Sequence, residues 1–113
     1  MKHEMKLQPK YFDFIKNGTK RIELRLNDEK RQMIKIGDKI KFIKEPELTE
    51  SFEAEVIGLL NYSNFNELFK DIDISILSDN SMTKAELINV LQEFYTPEKQ
   101  SKYGVLGIKL KLI

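Results

Sequence analysis

Phe14-Ile15-Lys16-Asn17-Gly18-Thr19-Lys20-Arg21-Ile22-Glu23-Leu24-Arg25-Leu26 carries two different hydrophobic periods on either side of one glycine. Up to Gly18 the spacing is helical: Tyr11, Phe12 and Ile15 recur at i, i+1 and i+4, and Pro9 stands where a first helical turn tolerates a missing N–H. Beyond it, Ile22, Leu24 and Leu26 alternate with Arg21, Glu23 and Arg25, the period of a strand with one buried and one outward face. A glycine suits the position just past a helix end, so the stretch reads as helix, stop, strand.

Working outward, the same two periods order the rest of the chain. Upstream, His3, Met5 and Leu7 alternate with Lys2, Glu4 and Lys6 as a strand. Downstream, residues 27–32 can cap and form a helical turn, Gly37-Asp38 marks a turn, and Ile40 and Phe42 alternate with lysines in the next strand. After a polar loop at 45–50, Phe52, Ala54 and Val56 run on through Ile57-Gly58-Leu59-Leu60, which predicts a long strand bending at Gly58 and crossing the middle of a sheet.

Ser63 can cap a helix containing Phe65, Leu68, Phe69 and Ile72. Thr83-Lys84-Ala85-Glu86 is a capping-box pattern before Leu87, Ile88, Leu91 and Phe94, in a helix that Pro97 is expected to end. Leu106, Ile108, Leu110 and Leu112 alternate in a closing strand. This order predicts an α+β fold, a mixed or antiparallel sheet curled into a small barrel with helices outside, in a single domain over residues 1–113.

Composition removes several classes of function. With 41% hydrophobic and 33% charged residues the chain is globular rather than disordered. Its start lacks an apolar leader segment and no run approaches the roughly 20 apolar residues of a membrane span, so a soluble protein without membrane attachment is expected. The absence of Cys excludes disulfides and thiol chemistry and fits a reducing cytoplasm. With one His and no Cys, neither a metal nor another cofactor is expected, unless carboxylates hold a hard cation. His3 has the parity of Met5 and Leu7 and is expected partly buried at a strand start.

The net charge of +1 conceals segregation: residues 1–44 carry 13 Lys and Arg against 6 Asp and Glu, residues 45–98 carry 2 against 12, and the last 15 residues add 4 Lys without acid. Basic segments that adjoin in space would attract a phosphate backbone; alternatively they pair with the acidic half across the fold. Glu23 and Arg25 share one strand face about 7 Å apart, offering an acceptor and a planar five-donor fork. Arg21 has the same parity, Lys30 and Arg31 follow within a turn with charges that suit phosphate, and Asp28 can orient a guanidinium. The competing reading of Arg21, Glu23 and Arg25 is a solvated ladder of salt bridges. Tyr62 and Tyr103 can stack on a base or pack at strand ends.

Gly18-x-Lys20-x-x-Glu23-x-Arg25, followed by Gly37-Asp38-x-Ile40-x-Phe42 and the closing Tyr103-Gly104-Val105-Leu106-Gly107-Ile108, resembles the signature of bacterial ASCH (activating signal cointegrator homology) domains over essentially the whole chain. The resemblance implies a PUA-like β-barrel, an association with RNA, and a cleft with the Gly-x-Lys turn at its rim. It singles out Lys20, which near other cations and out of water can act as a base, or can stay charged and hold a phosphate. Some ASCH proteins are amidohydrolases of N4-acetylcytidine using Lys, Thr and Glu, and others are ribonucleases. Lys20 matches the lysine of the first group, but Glu23 stands where its threonine nucleophile would, and its distal acid would fall near Ser78-Asp79. The amidohydrolase activity is therefore not carried over, while Lys20 and Glu23 remain a cation and base suited to phosphodiester cleavage.

The reading as a whole is an RNA- or nucleotide-like-ligand-binding ASCH domain, with a small hydrolase on such ligands or a protein-interaction adaptor as alternatives. The sequence sets neither the ligand nor the oligomeric state.

Overall fold

The computed structural model describes residues 1–77 and 81–113. Strands β1 (Lys2–Leu7), β2 (Ile22–Leu26), β3 (Lys39–Lys44), β4 (Ser51–Tyr62) and β5 (Val105–Leu112) form one sheet in the order β1-β3-β4-β5-β2. β1 and β3 run parallel and the other pairs antiparallel. Helices α1 (Pro9–Lys16), α2 (Phe65–Asp71), α3 (Lys84–Phe94) and α4 (Pro97–Tyr103) connect or flank the strands. The expected α+β fold is observed, as a curled five-stranded half-barrel whose open edges are β1 and β2.

β4 is the central strand, and its pairing with β5 shifts register between Val56 and Gly58. The bulge changes which core the strand feeds. Ala54 and Val56 pack with Met5, Ile40, Phe42, Ile108 and the Phe12 and Ile15 face of α1, whereas Leu60 and Tyr62 pack with Ile22, Leu24, Leu26 and α2. The bend expected at Gly58 is thus a bulge that lets one sheet bury residues in two cores.

α1 ends as its sequence predicts. Asn17 N–H donates to the Asp13 carbonyl, Gly18 adopts φ 84°, and Lys20 N–H returns to the Phe14 carbonyl at 2.9 Å. The turn aims Lys20 back at the start of β2. The capping box at Thr83 is present, with the hydroxyl accepting from Glu86 N–H and the Glu86 carboxylate accepting from Thr83 N–H.

Two expectations are corrected. α2 is capped by Asn64, whose side chain accepts from Glu67 N–H at 2.9 Å, and not by Ser63. Pro97 does not merely end a helix: it opens α4 at a first-turn position, with Thr96 as its cap. A proline both forbids the continuing turn and is pre-set for a new one, and the local pattern does not separate these uses. The turn expected at 27–32 is present, tightening into a 3-10 turn at Arg31–Met33.

Candidate functional site

β2 carries the site on its second face. Ile22, Leu24 and Leu26 go into the core with α2 and α3, while Glu23 and Arg25 turn the other way, toward the gap between the β2 and β1 edges. This face is not solvated. Glu23 is only 3% exposed and Lys20 only 5%, so the outward ladder considered from the sequence is instead a buried ion cluster.

Its geometry is closed around one carboxylate. Glu23 Oε1 accepts from Lys20 Nζ at 2.9 Å and from Leu24 N–H at 3.1 Å; Oε2 accepts from Arg25 Nε at 3.1 Å and Arg25 Nη2 at 2.9 Å. Four donors occupy the roughly four lone-pair positions a carboxylate has. Burial pushes the Glu23 carboxyl upward, but the charges of Lys20 and Arg25, with hydrogen bonds from both, outweigh it and hold the group at about 2. Arg25 is pushed upward in turn: burial opposes its charge, and the Glu23 carboxylate and the Tyr95 phenol overcome that.

The cluster forms part of a cleft of about 170 Å³. Lys6 and Leu7 of β1 stand at one side, Tyr11 of α1 lies under the Lys20 ammonium at 4.8 Å from the ring centre, and Leu87, Leu91 and Phe94 of α3 make an apolar wall with Tyr95. A cavity of about 150 Å³ holds one benzene ring, so this space is the size of a single planar ring system. Burial pushes the Tyr95 phenol upward, leaving a neutral hydroxyl beside Arg25.

The other residues singled out in the sequence divide. Arg31 adjoins the site through Tyr95, on which its charge acts, but it does not line the cleft; its guanidinium meets Asp28 at 3.5 Å and its buried Nε has no hydrogen-bond partner among the described residues. Arg21 faces a separate hollow with Gly18 and Lys111, and Lys30 is exposed on the turn. Tyr103 closes α4 and packs on the second core with Lys102 over its ring, away from the cleft. Asp79, the candidate distal acid, lies outside the described residues. His3 sits at its strand start with Nε2 2.8 Å from Asp38.

Sequence reasoning missed the walls. Tyr11, Leu91 and Phe94 have helical spacing that reads as core, and no local signal distinguishes a cleft wall from a core face. The charge question is also answered in part: Lys2 pairs with Glu53, and Lys16 and Lys44 pair with Glu50, so some of the basic segment is neutralised across the fold. Among the described residues no group of three His, Cys, Asp or Glu could hold a metal ion, and no helix is long and apolar enough to cross a membrane.

The architecture is a small α+β half-barrel in which a buried cation–carboxylate–cation cluster opens onto a ring-sized apolar cleft. The family model for the ASCH domain matches residues 5–113, and the chain belongs to that family. Among solved structures, the hypothetical protein PH0355 shares 39% identity over all of both chains with a TM-score of 0.87. Protein PF0455 from Pyrococcus furiosus shares 34% over 100% of this chain and 98% of its own, with a TM-score of 0.81. The ASCH protein of Zymomonas mobilis, at 11% identity over 96% of this chain and 65% of its own, has a TM-score of 0.66 and shares the fold. No curated protein matches the chain. ASCH domains are generally associated with RNA binding.

Proposed function

We propose that the cleft between β2 and α3 binds an RNA or nucleotide-like ligand, and that the Gly18-x-Lys20-x-x-Glu23-x-Arg25 motif builds its floor. The observation that carries this reading is the convergence of Lys20, Glu23 and Arg25, two cations held by one carboxylate, at the base of a cleft whose other wall is apolar. Glu23 spends its acceptors on holding two cations in place. The cluster keeps one net positive charge and fixed N–H donors, suited to a carbonyl or phosphate oxygen, while Tyr11, Leu91 and Phe94 offer surfaces to a planar ring.

The same geometry weighs against the hydrolytic alternative. A general base works best with a pKa near the operating pH, and a carboxyl held at about 2 with its lone pairs occupied is a poor proton acceptor at neutrality. Glu23 is a positioning residue in this reading, and binding is the activity the cluster supports.

The test is a titration of labelled single-stranded RNA at several salt concentrations with wild type, Arg25→Ala and, as a control on α4, Lys99→Ala. Binding that weakens in Arg25→Ala and not in Lys99→Ala, with both variants folded by circular dichroism, supports the reading. No binding by wild type at about 50 mM salt, where phosphate contacts are strong, removes it.

A further inference from the structure

The sheet has a second basic surface that the cleft does not use. On the face of β1, β3 and β4 opposite the first core, the cross-strand rows are Lys2, Lys39, Glu55 and Lys111, then Glu4, Lys41 and Glu53, then Lys6, Ile43 and Ser51. Lys109, beside Gly58, adds a sixth lysine against three glutamates. Lys2, Lys6, Lys39, Lys109 and Lys111 are exposed.

These charges cancel only in part: Lys39 has Glu55 opposite it and Lys41 lies between Glu4 and Glu53, which leaves three lysines in excess. Lys2 and Lys39 are direct neighbours on adjacent strands about 4.8 Å apart, a like-charge placement that costs stability. Lys2 ion-pairs with Glu53, while Lys6, Lys39, Lys41, Lys109 and Lys111 make no ion pair within 4 Å among the described residues. Glu53 is held below the usual carboxylate range by the hydrogen bond from Lys2 and by the charges of Lys2, Lys39 and Lys41, so one carboxylate serves three lysines. A fold seeking only solubility gains nothing from a Lys2–Lys39 row, whereas a polyanion laid along it relieves the repulsion.

The surface is continuous with the cleft through one residue. Lys6 lines the cleft, and its carbonyl accepts from Arg25 Nη2 at 3.2 Å. From Lys6 to Lys2 the strand runs about 13 Å across the open face. We propose that the lysines of β1 and β3 form a phosphate track leading out of the cleft, so that the ligand is a single strand of RNA extending past the nucleotide held in the cleft, not a free nucleotide. This rests on the cleft binding a nucleotide unit.

The experiment compares oligouridylates of about 4 and about 12 nucleotides, by fluorescence polarisation across a salt series, on wild type and the double variant Lys39→Glu/Lys41→Glu. The expected result is tighter binding of the longer strand by wild type, lost in the variant, whose log–log salt slope flattens by about 1.4 for two phosphate contacts removed. Short-strand binding should be nearly unchanged. Equal affinity of wild type for both lengths, or a variant indistinguishable from wild type on the longer strand, overturns the track while leaving the cleft reading standing. Absence of binding to either length by wild type overturns both. Circular dichroism and thermal melting of the variant show that it is folded, and Lys39→Gln/Lys41→Gln serves in its place if the glutamates unfold it.

Discussion

Arg25 Nη2 donates to the Lys6 carbonyl at 3.2 Å, so a side chain of one edge strand satisfies backbone of the other edge across the open side of the half-barrel. The same nitrogen holds Glu23 at 2.9 Å. Arg25 therefore fixes the width of the cleft mouth as well as the charge on its floor.

Arg25→Lys tests that double role. A lysine keeps the charge but not the planar fork, and cannot reach Glu23 through two nitrogens while reaching Lys6. Loss of hydrogen bonds involving charged groups is expected to cost about 1.5–3 kcal/mol in chemical denaturation. Faster amide exchange in the β1 and β2 edges should accompany it, because the link between them is gone.

Glu23→Gln tests the buried cluster through pH. The carboxyl is held at about 2 in the folded protein against an ordinary value of 4.5, so its contribution to stability is complete above about 4.5 and is lost as pH falls toward 2. The difference corresponds to about 3 kcal/mol. Wild type should lose that much more stability than Glu23→Gln over this window. At neutral pH the variant should be less stable by about 3–5 kcal/mol, since two buried cations lose their anion.

Phe94→Ser separates ligand binding from folding. Phe94 is 55% exposed at the end of α3, so its loss should change stability by no more than about 0.5 kcal/mol. If its ring stacks on a base, RNA affinity should fall by about 1–3 kcal/mol, from roughly fivefold to more than a hundredfold. Thr83→Ala reaches the same wall from its other end. Removing the cap should destabilise α3 by about 1 kcal/mol in denaturation.

The sequence disclosed the sheet because its strands alternate cleanly. Period two told which side chains share a face, and so placed Glu23 with Arg25, but it cannot tell what covers that face. The cover comes from parts of the chain remote from β2: Lys6 of β1, whose carbonyl meets Arg25, Tyr11 of α1 under Lys20, and Tyr95 beside Arg25 turn a solvated ladder into a buried cluster. Arg21 shares the parity of Glu23 yet points to another hollow, because it precedes β2, where its N–H bonds to the Ile76 carbonyl and its carbonyl accepts from Leu110. Tyr103 was legible as an aromatic at a strand start, but not that α4 would turn it into the second core. Long-range packing decides all three, and local pattern carries no information about it.

Chemical-shift mapping on isotope-labelled wild type tests the central claim most directly, because it needs no substitution in the cluster. On addition of a short single-stranded oligouridylate, the largest shifts should fall on the amides of Lys20, Glu23 and Arg25, on the Arg25 Nε resonance, and on Leu91 to Tyr95. Shifts confined to α2 and α4, or no shifts at about 50 mM salt, would contradict the account.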